Sequence, residues 1–451
     1  MLERFLTGLL ADVERRSPTA IAAVVAGVSG AAVRRLLTET QWSATAVNDQ
    51  RVAHMLSEAT AGDGTLLIDD SSLRRQGRYS VGVSRQYCGE IGTKANCQVF
   101  VTTHYVDPYY AWPVNGRLYL PQDWAEDAAR RSRAAIPAEV TFETKLELAW
   151  QLVDAARALN VPLGTVVSDS GYGDADTFLS GLETRRVAYG VGVRCDFRGR
   201  WPAEVAEAAQ RPPAPRQAGP PRQRPYPEQL AERHRADAII AAQPDTAWQS
   251  LTWRMGSAGP LTKQFVAVRV CRAVGDVTGP EGWLIGERPV PAATGQPTVN
   301  ERRLYFSSLP LDTPLARLVE LAHRRPGIER FYEDGKGFTG LDAYAARTWH
   351  GFHRHLILEL LALSWLALHA PPPDTPVIVS TPLPDAPAER PLFPLRPGPL
   401  SECGADPPPG GRLSAGRTHR LVHSHWPSRC RPTPRPASLS GLGWPRQRPL
   451  T

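Results

Sequence analysis

Short apolar runs bounded by small polar residues alternate along this chain with stretches whose apolar side chains recur every three or four positions. Leu66-Leu67-Ile68 and Thr165-Val166-Val167-Ser168 are runs of the first kind, closed by Asp69-Asp70 and by Asp169. Runs this short predict buried strands that deliver a side chain to their C-terminal edge. Val99 and Val101 alternate with Phe100 and Thr102 between Cys97 and Tyr105, which predicts another strand, and Tyr79 to Val83 reads as a further one. Leu148, Leu152, Val153, Ala156 and Leu159 fall at helical spacing. A helix over Asp174 to Arg186 and a strand over Val187 to Val193 follow. Strands alternating with helices predict an α/β core whose sheet is partly parallel.

Residues 1–60 read as helical. Ala20 to Val24, a turn containing Gly27, and Val33 to Leu37 with Arg34 and Arg35 give the outline of a helix-turn-helix, and equally of a helical pair packed on the next domain. Residues 61–195 form the first part of the core. Residues 196–300 read as a β-rich insertion, with strand-like runs at Ser250–Trp253, Phe265–Val270 and Gly282–Ile285 and a Pro/Arg-rich loop from Arg211 to Arg224. The core resumes over 301–370 with Tyr305-Phe306-Ser307, a helix from Pro314 to Arg324, a helix opening at Pro326, and a buried helix from Arg347 to Ala370. The last 81 residues hold 20 of the 43 prolines and no sustained periodicity. They predict a disordered tail, or a GC-rich gene read out of frame.

Composition changes this picture in three places. A hydrophobic content of 42% supports a real core. Five of the seven net positive charges lie in the last 81 residues, so any nucleic-acid contact in the folded part must come from local patches. None of the six cysteines forms a C-x-x-C pair, so neither a zinc site nor a disulfide framework is expected and a reducing cytoplasm fits. No signal peptide is visible, and the most apolar stretch, His355 to His369, is too short to span a bilayer and contains Glu359.

Candidate chemistry lies in three acids. Asp70 and Asp169 end apolar runs, and Glu329 sits inside Arg325-x3-Glu329-x6-Lys336. Glu329 and Lys336 are seven residues apart, hence on one helix face. Taken singly, each is more commonly a turn, a cap or a solvated face, and it is their joint occurrence in this order that points to function. Carboxylates gathered from distant segments are costly to hold together unless divalent cations neutralise them, and two hard cations so held drive in-line displacement at phosphorus. Asp69, Glu333 and Asp334 are alternative ligands if the register differs. Arg74, Arg75 and Arg78 lie near Asp70 and suit phosphate contact.

Together with Ile68-Asp69-Asp70-Ser71-Ser72, Val81-Gly82-Val83-Ser84-Arg85-Gln86-Tyr87, Asn96-Cys97-Gln98-Val99, Arg117-Leu118-Tyr119-Leu120-Pro121, Val167-Ser168-Asp169-Ser170-Gly171-Tyr172-Gly173 and Ile328-Glu329-Arg330-Phe331-Tyr332, these residues resemble bacterial DDE transposases of the IS4-like superfamily, and within it the IS701 family. The resemblance implies an RNase H-like core with a β-rich insertion between the second Asp and the Glu. It implies that Asp70, Asp169 and Glu329 are catalytic and bind two Mg²⁺ (or Mn²⁺) ions. It further implies that Arg325 and Lys336 hold phosphates, that the partner is double-stranded DNA (terminal inverted repeats and target), and that the protein acts as a homodimer on DNA in the bacterial cytoplasm, associated with the nucleoid. Two departures stand out: Ala322 occupies the family's Tyr position, and Pro326 replaces an aromatic residue after the Arg. A plain metal-dependent nuclease and a catalytically inactive DNA-binding copy are the competing readings.

Overall fold

A run such as Leu66-Leu67-Ile68, with no polar alternation, must bury both of its faces, and a central strand covered by helices on each side does so. The computed structural model describes residues 1–380 apart from 12, 14, 15, 61, 63, 213–229, 257–258, 291–302, 344–346 and 370–378. In it β1 (Thr65–Arg74), β2 (Ser84–Cys88), β3 (Thr93–Val106), β4 (Ala111–Leu118), β5 (Thr165–Ser168) and β6 (Tyr189–Val193) lie in one mixed sheet. β1, β5 and β6 run parallel, while β3 pairs antiparallel with β1, β2 and β4.

Helices cover both faces. α1 (Leu2–Leu10), α2 (Pro18–Val24), α3 (Gly30–Thr38) and α4 (Ala44–Glu58) come first. Ser17, Ser29 and Ser43 cap three of them by accepting from the backbone N–H groups of Ala20, Ala32 and Ala46. α5 (Gln122–Ala125) and α6 (Ala128–Arg133) are short; α7 (Lys145–Ala158) opens on a capping box between Thr144 and Glu147. After β5 come α8 (Ser170–Gly173) and α9 (Asp176–Thr184). On one face Leu66 and Val166 pack with Leu152 and Leu179 of α7 and α9. On the other, Leu67 and Val167 pack with Ile328 and Phe331 of α13 (Pro326–Asp334) and with Leu356 of α14 (Trp349–His369). Phe5, Leu9, Ile21, Val33 and Leu37 of the first three helices bury against Leu358 and Ala362 of α14.

Residues expected as a β-rich insertion extend this same sheet. β7 (Arg198–Arg200), α10 (Pro202–Ala209), β8 (His234–Arg235) and α11 (Ala236–Ala241) lead to β9 (Gln249–Gly256), β10 (Gly259–Val274), β11 (Val277–Pro289) and β12 (Arg303–Ser307). β12 pairs antiparallel with β6, so the order β9-β10-β11-β12 joins β6-β5-β1-β3 without a break. α12 (Leu315–Ala322) then leads to α13. The described residues belong to one compact unit, Met1–Thr381.

Two local expectations are corrected. Tyr79 to Val83 is a turn in which Gly82 takes φ +72°, and the strand begins at Ser84. β4 was not anticipated because Pro113 interrupts its pattern; a proline is tolerated there because β4 pairs only with β3 and forms an edge. Residues 213–224 of the Pro/Arg-rich loop lie outside the described residues, as does the 371–451 tail except Val379 and Ser380. Those two pair with β9 as β13. Among the described residues no helix is long and apolar enough to cross a membrane.

Gly173 closes α8 against β6 so tightly that a Cβ there would stand 2.0 Å from the Gly192 carbonyl oxygen. Gly173→Ala is therefore expected to cost about 2 kcal/mol or more in chemical denaturation, since backbone on both sides must shift. A change below about 0.5 kcal/mol would show the contact to be soft.

Candidate active site

Strand register assembles the site. Thr65, Leu66 and Leu67 of β1 face Thr165, Val166 and Val167 of β5, each residue opposite the one a hundred positions later. Two residues further on, the same register brings Asp69 alongside Asp169. Successive side chains alternate between faces, so Asp69 follows Leu67 towards α13, whereas Asp70 follows Leu66 and Ile68 towards α7.

Asp169 is the N-cap of α8 and accepts from the backbone N–H groups of Gly171 (2.9 Å) and Tyr172 (3.4 Å). Glu329 projects from the first turn of α13, which Pro326 opens. Arg325, immediately before that helix, points one guanidinium nitrogen at three acids. It lies 3.3 Å from Asp69 Oδ2, 3.6 Å from Glu329 Oε1 and 3.9 Å from Asp169 Oδ2. Carboxylates from three separate segments thus surround one cation. Its Nε is buried with no hydrogen-bond partner among the described residues.

The charges respond accordingly. Burial pushes the Asp69 carboxyl up to about 7, Arg325 draws it back, and the neighbouring Asp169 and Asp70 charges push it further up. Burial opposes the charge on Arg325, but Asp69, Asp169 and Glu329 outweigh it and raise the pKa. Tyr332, one turn after Glu329, donates to the Asp69 backbone carbonyl (3.1 Å) and shares a hydrogen bond with Thr102 (2.6 Å), tying α13 to β1 and β3.

Of the residues expected from sequence, Asp169, Glu329 and Arg325 come together. Asp70 lies on the opposite face of β1, with Oδ2 2.7 Å from Lys145 Nζ and Oδ1 3.5 Å from the Tyr172 hydroxyl. Asp69, kept in reserve by the sequence reading, is the acid that meets Arg325. Lys336 donates to the Ser72 carbonyl at 3.2 Å, which places its ammonium along β1 beyond the acids. Arg74 is exposed at the end of β1. Arg75 is engaged by Gln98 (2.7 Å) and the Asp342 carbonyl (2.9 Å), and Arg78 lies over the Tyr79 ring. Lys145, Tyr172 and Tyr332 were missed. The Thr144-x2-Glu147 capping box does announce where α7 begins, but nothing local says that its first lysine meets Asp70.

The profile of the DDE superfamily endonuclease family matches residues 1–260, more than half of the chain. The protein belongs to the DDE superfamily endonucleases. A curated relative is the probable transposase for insertion sequence element IS701 of Microchaete diplosiphon, 25% identical over 188 residues. That alignment covers 42% of this chain and 47% of the relative, so it spans about half the relative's length. The family match contains Asp69, Asp70 and Asp169 and stops short of Arg325, Glu329 and Lys336, whose place in the site rests on the geometry.

DDE endonucleases are associated with divalent metal ions, and the donor set here fits them in kind. Every side chain offered is a hard carboxylate oxygen, and the cluster already draws a cation into its centre. In spacing it is looser: among the described residues no three His, Cys, Asp or Glu side chains stand close enough to hold an ion, because the Arg325 guanidinium lies between them.

Asp69 yields a pH dependence. Its folded-state pKa lies above the unfolded value of 3.8, so the stability gained from its protonated form is present at low pH and lost as pH rises through about 7. Without divalent cations, the wild type should lose about 1–3 kcal/mol relative to Asp69→Asn between about pH 5 and pH 8 in chemical denaturation. Parallel pH curves for the two proteins would contradict this assignment.

Proposed function

We propose that this protein is a DNA transposase that cleaves the ends of an insertion element and joins them to target DNA. One observation carries the reading: carboxylates from β1, the end of β5 and the start of α13 converge on a single arginine. The strand order β4-β3-β1-β5-β6, with β1, β5 and β6 parallel, supports an RNase H-like core. Family membership supports an endonuclease, and the IS701 relative, a probable transposase, supports transposition.

Asp69, Asp169 and Glu329 are the residues that would hold Mg²⁺ or Mn²⁺ ions, while Asp70, on the other face of β1, pairs with Lys145. Such ions supply an activated water or 3′-hydroxyl and neutralise charge building on the phosphoryl oxygens. The protein's own part is placement. The β1–β5 register fixes two acids on adjacent strands, and Pro326 fixes the turn from which Glu329 reaches them. Arg325, with a free Nε–H, is built to pass from carboxylates to a phosphate oxygen in the same spot. Lys336, Arg74 and Arg78 continue the positive charge beyond β1, while Arg75 is committed to bracing the loop after it. Substrates are double-stranded DNA bearing terminal inverted repeats and a target duplex. Two ends must be cut together, so the working form is a homodimer on DNA, in the cytoplasm at the nucleoid.

Labelled duplexes carrying an element terminus test this. In Mg²⁺ the full chain should nick at the terminus and transfer a pre-cut 3′-end to a second duplex. Asp169→Asn should lower both by about a hundredfold or more while still binding the terminus. Cleavage by Asp169→Asn at the wild-type rate would refute the assignment, and nicking without strand transfer would leave a plain nuclease.

A further inference from the structure

The loop between β1 and β2 mounts an exposed aromatic ring on a firm base. Tyr79 is exposed, yet the backbone on either side of it is tied down. Asn96 donates to the Gly77 carbonyl (2.8 Å), Gln98 to the Val81 carbonyl (2.6 Å) and the Trp124 indole to the Val83 carbonyl (2.7 Å). Two arginines from different elements share the ring. The Arg78 guanidinium carbon lies 5.8 Å from its centroid, and that of Arg133, the last residue of α6, lies 5.3 Å away. Both arginines are exposed, and among the described residues neither has a carboxylate partner. With Trp124, Asp127 and Arg130 they line a cleft of about 240 Å³. Arg130 is already engaged, by Asp123 (2.8 Å) and by Asp127 (3.5 Å), the N-cap of α6. Two like charges brought to one ring repel, and an exposed arginine over a ring contributes only about 0.5–1 kcal/mol. The arrangement suits an anion from outside, because a guanidinium on an aromatic face keeps its in-plane N–H donors available for phosphate oxygens. The floor of the cleft belongs to the α13 side of the sheet: Trp124, Val81 and Ala134 pack in one cluster with Leu67 and Ile328. On that side Asp69 faces Arg325. From Asp69 to Arg74, β1 runs about 16 Å, roughly five base pairs of duplex rise, before the loop begins.

We propose that Arg78, Tyr79 and Arg133 form a second DNA-binding surface, which grips the duplex backbone several base pairs away from the acids. The inference rests on the DNA-transposase reading and adds to it a contact outside the acid cluster. Tyr79 is the positioning residue that holds both guanidinium groups. Phosphate is what the surface meets, so its grip is indifferent to sequence.

Fluorescence anisotropy of the full chain with a labelled, mixed-sequence duplex of about 30 base pairs, in EDTA, reads this without metal or catalysis. The Arg78→Gln/Arg133→Gln double variant should bind about tenfold more weakly, with a log–log salt slope shallower by about two. Tyr79→Ala should lose about two- to fivefold, whereas Tyr79→Phe, which keeps the ring, should match wild type. Arg186→Gln, in the turn before β6 at the opposite end of the parallel strands, should also match wild type. An unchanged salt slope in the double variant, wild-type binding by Tyr79→Ala, or an equal loss in Arg186→Gln would overturn the proposal. A wild-type chain that binds no duplex at all would instead remove the DNA reading beneath it.

Discussion

Like charges on adjacent strands are the constraint around which this molecule is organised. Parallel pairing of β1 with β5 in one fixed register sets Asp69 beside Asp169, in a setting buried enough to push a carboxyl up to about 7. Left alone, that pairing would open the sheet edge or keep a proton bound. The fold answers with a guanidinium aimed between the acids and a helix that adds a third acid on the same cation. Cost and arrangement have one source here: acids held this close draw in their own arginine.

Holding Arg325 in place takes structure from far along the chain. Arg324, its neighbour, hydrogen-bonds to Thr65 at the start of β1 and pairs with Glu320 on α12. His323 stacks on Trp253 and lies 3.1 Å from Glu287. Glu287 is fully buried in β11; burial opposes its charge, but His323, Lys263 and the Tyr305 hydroxyl surround it, and its pKa is held down at about 2. The strands between the second Asp and the Glu thus do more than interrupt the core. They brace the joint between α12 and α13, from which Arg325 and Glu329 project. A buried charge with three partners is rigid because removing any one leaves the others uncompensated.

The N-terminal helices are bound into the same unit. α1 to α3 bury Phe5, Leu9, Ile21 and Val33 against α14 and leave Arg34 and Arg35 exposed. Their helix-turn-helix outline therefore sits on the helix that also lines the α13 side of the sheet. Whatever that surface meets is registered against the acid cluster by α14, without an intervening linker.

Much of this was legible in the residues. Asp169, Glu329 and Arg325 could be read because each sits in a local setting with its own grammar: a strand end that caps a short helix, and a proline-opened helix start. The α7 and α14 helices and the strands around Ile68 and Val167 followed from spacing. The choice between Asp69 and Asp70 did not, because neighbours on a strand point to opposite faces and sequence cannot say which face the Glu-bearing helix will cover. Nor could spacing show that the insertion would continue the core sheet through β12, or that Lys145 would cross to Asp70. Local pattern singled out candidate side chains; long-range pairing decided which of them meet, because strand register and helix docking are set by packing that no single segment contains.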